Sequence, residues 1–189
     1  IEILQGETST VARKRREALL LIKERVSEMN EHLLSYNTDT IAPKSIQEIF
    51  VMPQLTKIDN LDEPNGEIKE STIDDFQDII YSDENFIIFG IKEAGKTIML
   101  DRIMLEFIEK RKDILPARFD FNDIKGDIVT NLCSIWGINK KNCTKILDEG
   151  HIVILIDNIS FTTDSQNKLS TLNDFCENYT KCRFIGTSL

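Results

Sequence analysis

The stretch that most constrains this chain is FIIFGIKEAGKTIML, residues 86–100, because one glycine-bounded loop joins an apolar run to a helical pattern. The continuous apolar run from Phe86 to Phe89 is typical of a strand that is buried on both faces. Helical periodicity follows from Lys96 to Lys112. Further strands alternate with helices later in the chain, so the predicted fold class is α/β, with a parallel sheet covered by helices on both faces.

The loop itself fits G-x-x-x-x-G-K-S/T, a pattern that holds nucleotide phosphates. Its glycines permit a tight backbone path with inward N–H groups, and the following helix points its positive end at the same anion. In this pattern Lys96 bridges the outer phosphates and the Thr97 hydroxyl binds Mg²⁺. The side chain of Lys92 is expected in solvent. The predicted nucleotide-binding residues of this stretch are Gly90, Ile91, Lys92, Glu93, Ala94, Gly95, Lys96, Thr97 and Ile98.

An acidic residue at the end of a second buried strand completes such a site, and HIVILIDN (151–158) supplies one. Asp157 follows a run of apolar residues, the place from which a carboxylate positions magnesium. Taken alone, Asp157 could also be a turn-forming residue at the end of a strand, although that is the weaker interpretation. Together with the loop, it gives Thr97 and Asp157 as predicted metal ligands, and Lys96 and Asp157 as predicted catalytic residues. The predicted ligands are ATP or ADP with Mg²⁺.

Three parts are predicted along the chain: an N-terminal linker helix at 1–40, a connecting segment at 41–84 and a core at 85–189. Within the first part, residues 8–35 are predicted to be helical, with a basic cluster at 13–16 facing solvent. The apolar seam of this helix should pack on protein, either the core or an upstream domain, and should lie outside the nucleotide site. It comprises Leu19, Ile22, Val26, Met29 and Leu33.

In the connecting segment, we predict an extended piece from Ile49 to Met52, an exposed acidic loop at 59–71 and a short helix capped by Ser71. In the core, strands are predicted at 116–121, 152–156 and 182–188, and helices at 128–136, 141–147 and 167–179. The first of these strands alternates in polarity and is expected to be less central than the others.

Composition excludes several classes of function. The 189 residues carry a net charge of −9, which disfavours a broad nucleic-acid-binding surface. No apolar stretch reaches the roughly 18 residues that span a bilayer, so no membrane partner is expected. The four cysteines lack the spacing of a zinc site and are expected to be reduced, as in a cytoplasmic protein.

The order of these motifs resembles the NACHT-type branch of the STAND signalling ATPases, over roughly residues 46–189. An extended V-x-P-x-L piece (Val51, Pro53, Leu55) precedes the phosphate loop, followed by ILPARFDFNDIK, ILDEGHIVILIDNIS and CRFIGTSL. The resemblance implies a P-loop NTPase of the ASCE type, in which an additional strand lies between the two motif strands. Together with the apolar character of the last three strands, it gives the expected sheet order PARFDF, IVILI, CRFIGTS, FIIFG. It also implies that adenine rests against the piece around Val51, which favours ATP over GTP.

Family membership would make this a cytosolic ATP/ADP switch that self-oligomerises and controls an effector domain in the same longer chain. Winged-helix and sensor-repeat segments would follow in that chain.

This sequence departs from the family pattern at several positions. Glu93 replaces a second glycine of the loop, Ser160 and Phe161 stand where the family has acids, and Leu189 replaces an arginine. We therefore expect nucleotide binding with slow or impaired hydrolysis, although Asp164 could reach in from the next loop. Two alternatives remain: a working AAA-like motor or DNA-handling subunit, and a degenerate interaction domain that binds no nucleotide.

Overall fold

The computed structural model describes residues 2–32, 45–59 and 69–188. Short 3₁₀ turns occupy Phe121–Asp123 and Thr163–Ser165. The helices are α1 (Glu2–His32), α2 (Ile46–Ile49), α3 (Phe76–Ile80), α4 (Lys96–Lys110), α5 (Ile128–Trp136), α6 (Lys140–Glu149) and α7 (Gln166–Asn178). The strands are β1 (Leu55–Asp59), β2 (Lys69–Ile73), β3 (Phe86–Phe89), β4 (Leu115–Asp120), β5 (Ile152–Ile159) and β6 (Cys182–Ser188).

Four parallel strands form the main sheet in the order β3-β6-β5-β4, which confirms the predicted order. Helices flank this sheet, while β1 and β2 pair separately as an antiparallel hairpin. Strand β5 is the most buried, since its residues from Ile152 to Asp157 are all inaccessible. Because the strands are parallel, their carboxyl ends meet at one edge, where Phe89 is in register with Ser188.

Strand β3 corrects the prediction of a strand buried on both faces. It is an edge strand of the sheet, and its residues alternate between half-buried and exposed. Ile87 is 48% exposed and Phe89 is 61% exposed. An apolar run of four residues fits an edge strand and a central strand equally well. The sequence alone therefore did not show that one face of this strand is exposed.

Helix α1 packs on the core, against α5, α6 and β4. Its buried side chains are Val11, Ala18, Ile22 and Val26, which confirms that the seam contacts protein. Met29 and Leu33 of the predicted seam lie outside the side chains that the structure describes. Arg15 corrects the prediction of a solvated basic cluster, because it donates to the carbonyl oxygens of Asp113 and His151.

The connecting segment differs from its prediction in two places. Ile49 ends α2, which begins at a capping box of Ser45 and Glu48, and the extended backbone starts only at Phe50. Ser71 lies in β2, whereas the N-cap of α3 is Asp75, whose side chain accepts from the backbone N–H of Gln77. The predicted acidic loop falls mostly on residues 60–68, outside the described part of the chain.

The helices of the core lie within a few residues of their predicted bounds, and α5 matches them at both ends. Gly150 follows α6, as its role of helix terminator predicts. Among the helices that the structure describes, none combines the length and the apolar character needed to cross a bilayer.

Candidate nucleotide-binding site

The loop between β3 and α4 turns sharply at its last glycine. Gly95 has φ 78° and serves as the N-cap of α4, so this position requires the left-handed conformation that glycine adopts without strain. The loop is closed by the backbone N–H of Ala94, which donates to the carbonyl of Ile91 at 3.3 Å. Residues 91–95 are exposed, so the loop faces solvent and is accessible to a ligand.

Lys96 folds back over the start of this loop. Its Nζ donates to the carbonyl oxygens of Gly90 and Ile91, both at 2.7 Å. An ammonium group has three protons, so a third can reach a phosphate without either bond being broken. Thr97 and Ile98 are exposed in the first turn of α4, whose free backbone N–H groups favour an anion.

Asp157 lies near the carboxyl end of β5, in register with Asp120 of β4, and is 2% exposed. Its Oδ1 accepts from the Thr187 hydroxyl and from the backbone N–H of Asn158 at 3.0 Å. Its Oδ2 accepts from Nη2 of Arg118 at a longer 3.3 Å. Donors from β4, β5 and β6 therefore fix this carboxylate in one orientation.

A second buried acid, Asp101 of α4, faces the same guanidinium group. Its Oδ1 lies 2.7 Å from Nε of Arg118, but the N–H is not aligned with that oxygen, so the contact is an ion pair rather than a good hydrogen bond. Burial raises the pKa of Asp101 to about 6, with Asp157 adding to the rise and Arg118 opposing it. Arg118 thus serves as the cation for two buried carboxylates.

The loop and Asp157 share one edge of the sheet, with β6 between their strands. Two strand spacings, about 10 Å, separate β3 from β5, so the loop after β3 and the carboxylate of β5 lie near each other along the carboxyl edge of the sheet. Ser188 of β6 donates to the carbonyl of Ile159 at 2.8 Å. Its neighbour Thr187 is fully buried and turns its hydroxyl toward Asp157.

The donor set suits a nucleotide with Mg²⁺. In the described part of the chain, no group of three His, Cys, Asp or Glu side chains could hold a metal ion. Magnesium, however, is usually bound by one or two protein oxygens together with the phosphates of the nucleotide and water. The Thr97 hydroxyl and the Asp157 carboxylate would supply those oxygens, and the loop backbone and Lys96 would hold the phosphates.

The positions after Asp157 carry no acid near the site. Ser160 bonds through its hydroxyl to that of Thr162, 3.1 Å away. Phe161 is exposed, and its ring stacks on Phe89 with a centroid distance of 6.5 Å. Asp164 lies in the 3₁₀ turn that follows, with its side chain exposed, and Leu189 lies outside the described residues.

Val51, the predicted adenine contact, is 84% exposed in the segment between α2 and β1. The preceding Phe50 packs on Phe76 with a centroid distance of 5.6 Å, and Arg102 of α4 lies over the other ring of that pair, Phe76. These contacts tie the segment to the middle of α4, about 9 Å along the helix from Lys96 at 1.5 Å per residue. Contact between the adenine base and Val51 stays a prediction.

Three residues of this site were missed from the sequence: Asp101, Arg118 and Thr187. A charged residue at an apolar position of a core helix or strand signals a buried ion pair, and both Asp101 and Arg118 gave that signal. Thr187 gave none, since a polar residue commonly ends a strand.

Comparison with known proteins assigns no family. No family model matches the chain, and the curated proteins contain no match to it.

Proposed function

We propose that this chain binds ATP or ADP with Mg²⁺ at residues 90–98 and Asp157, and acts as a regulatory switch domain. The observation that carries the proposal is the paired geometry of the loop and the carboxylate. Lys96 is held over an exposed, glycine-turned loop at the start of α4, and Asp157 is held at the same edge of the sheet, two strands away. The strand between them fits an ASCE-type P-loop NTPase.

Slow hydrolysis is part of the proposal. An attacking water needs an acidic or polar group to orient it, and the two residues at the positions of the family's acids are Ser160, engaged with Thr162, and Phe161, stacked on Phe89. A domain with such a site converts ATP to ADP slowly, which suits a switch and disfavours a motor. Measuring ATP turnover with excess nucleotide separates these two functions.

The partners follow from the resemblance to NACHT-type STAND ATPases. We propose a cytosolic protein in which this domain controls an effector domain, responds to sensor repeats of the same longer chain and self-oligomerises in one nucleotide state. One observation favours the alternative of an interaction domain that binds no nucleotide. Arg118 already forms an ion pair with Asp157, the carboxylate that would otherwise bind magnesium.

A thermal-shift experiment decides between nucleotide binding and its absence. At a ligand concentration about 100 times Kd, binding to the native state adds roughly 2.7 kcal/mol, a rise of about 5–11 °C in Tm for this size of domain. Lys96→Ala should reduce that shift several-fold, because the charge-assisted contact to phosphate is lost. The variant also loses the two bonds from Nζ to the loop carbonyls, so its shift is measured from its own ligand-free Tm. Lys112→Ala, an exposed lysine just beyond the other end of α4, is the matched control and should retain the full shift.

Absence of any shift with millimolar Mg-ATP or Mg-ADP, in a folded sample, would refute nucleotide binding and support the interaction domain.

A further inference from the structure

Arg118 is placed where a cation would otherwise be needed. Its guanidinium lies between two carboxylates that are both largely buried, Asp101 at 2.7 Å and Asp157 at 3.3 Å. One of these acids belongs to the helix that follows the phosphate loop, and the other is the proposed magnesium ligand. Two acids and one arginine leave a net charge of −1 in this cluster.

The hydrogen bonds of Asp157 determine which of its oxygens a metal ion can use. Oδ1 already accepts from Thr187 and from the backbone of Asn158, while Oδ2 faces Arg118. A magnesium ion or its bound water must therefore approach the oxygen that the guanidinium faces. Two cations around one partly buried carboxylate repel more strongly than they would in water.

Other charged groups at this edge are engaged elsewhere. Asp120, the neighbour of Asp157 in register, accepts from the side chain of Asn158 at 2.6 Å and from Asn122. In α4, Arg102 pairs with Glu106 rather than with Asp101. Arg118 is thus the only cation with a described ion pair to Asp157 in the described part of the chain.

We propose that Arg118 is the resident counter-ion of Asp157 and makes nucleotide binding only weakly dependent on Mg²⁺. The inference rests on the proposed function in taking Asp157 as the magnesium carboxylate. Without nucleotide, Arg118 already faces the oxygen of Asp157 that a divalent ion would use, so the chain has little affinity for such an ion. With nucleotide, the loop and Lys96 bind phosphate whether or not magnesium accompanies it. Arg118 is a positioning residue, since it acts through Asp157.

The first test uses Mg²⁺ alone, which requires no nucleotide. Tm is measured with and without about 10 mM MgCl₂, at matched ionic strength, for the native chain and for Arg118→Gln. Arg118→Gln leaves Asp101 and Asp157 without a cation, so Mg²⁺ at ten times its Kd should raise its Tm by about 3–6 °C. The native chain should shift by less than about 1 °C at that concentration.

Arg102→Gln is the matched control, because Arg102 is also mostly buried, is paired with Glu106 and lies on the same helix as Asp101. It should melt independently of Mg²⁺. Should Arg118→Gln fail to fold, the double variant Asp101→Asn/Arg118→Gln keeps the cluster at −1 and leaves Asp157 alone without its cation. Mg²⁺ should stabilise this variant as well, by a smaller amount.

The second test compares Kd for ADP in Mg²⁺ and in EDTA. For the native chain, Kd in EDTA should exceed Kd in Mg²⁺ by less than about tenfold. Arg118→Gln should increase this ratio of Kd values by at least about tenfold, whereas Arg118→Lys should return it to a small value. A purely structural arginine would change stability without changing either response to magnesium.

The inference is overturned if folded Arg118→Gln, or the double variant in its place, melts independently of Mg²⁺, or if the native chain responds as strongly. If the native chain binds no nucleotide, the proposed function fails, and the measurements with Mg²⁺ alone still decide the role of Arg118.

Discussion

Glu93 holds a backbone conformation that its side chain disfavours, and replacing it by glycine should stabilise the chain. Its φ is 63°, in the left-handed region, where an L-residue other than glycine costs about 1–2 kcal/mol. Glycine avoids this cost but loses more backbone entropy on folding, worth about 0.4–1 kcal/mol. The balance predicts a gain of about 0.5–1 kcal/mol for Glu93→Gly, or about 1–4 °C in Tm.

Glu93→Gln separates the backbone conformation from the charge. Glutamine keeps the left-handed strain, so its free energy of unfolding should stay within about 0.3 kcal/mol of the native value. Both variants remove a negative charge from the loop at 90–97. If the proposed function holds, both should therefore tighten ADP binding by about threefold at low salt, and less at high salt.

Urea unfolding is the assay, followed by the fluorescence of Trp136, the single tryptophan, which is buried and donates to the carbonyl of Pro116. Equal stability of Glu93→Gly and Glu93→Gln would refute the argument from backbone strain. Tighter binding by the glycine variant alone would mean that loop conformation, and not charge, limits affinity.

Two further predictions concern stability. Ile22→Ala should lower the free energy of unfolding by about 2–4 kcal/mol, because Ile22 is fully buried where α1 meets the core. Leu20→Ala, at a position that is 62% exposed, should change this free energy little. An equal loss in both variants would contradict the packing of α1. Arg111 donates two hydrogen bonds to the carboxylate of Asp113 and lowers its pKa. The pair therefore stabilises the fold above the unfolded pKa of about 4. That contribution is lost as the pH falls through the lower pKa that Asp113 has in the folded chain. Asp113→Asn should therefore cost up to about 1 kcal/mol at neutral pH and nothing near pH 2, as measured by urea unfolding, and a cost independent of pH would count against the ion pair.

Much of the sheet could be predicted from the sequence because strand periodicity and the order of motifs are local signals. The apolar run of β5 identified a strand covered on both faces, and the alternation with helices required parallel strands. The exposure of Ile87 and Phe89 could not be predicted, since it depends on whether another element covers the face of β3 that these two residues share. The caps of short helices failed for a related reason: Ser71 and Asp75 are both capping residues, and only strand pairing of β2 decides between them.

The glycine-bounded loop at 90–97 could be recognised as a candidate site because its residues are consecutive in the sequence. The surroundings of Asp157 could not, because they come from α4, β4 and β6, which meet only in the folded chain. Asp101 and Arg118 each place a charge within a largely apolar segment, but nothing in the sequence joins them to each other or to Asp157. Their shared contact is a product of strand order and helix placement.

Arg15 connects α1 to the main sheet by hydrogen bonds. Its guanidinium holds the carbonyl oxygens of Asp113 and His151, just before the amino ends of β4 and β5. A displacement of α1 must either break these two bonds or pull on both strands, which are stiff and parallel. Arg118 and Asp157 lie farther along the same two strands, about 20 Å from one end of β4 to the other. The N-terminal helix is therefore hydrogen-bonded to the residues that lead into the two strands carrying Arg118 and Asp157.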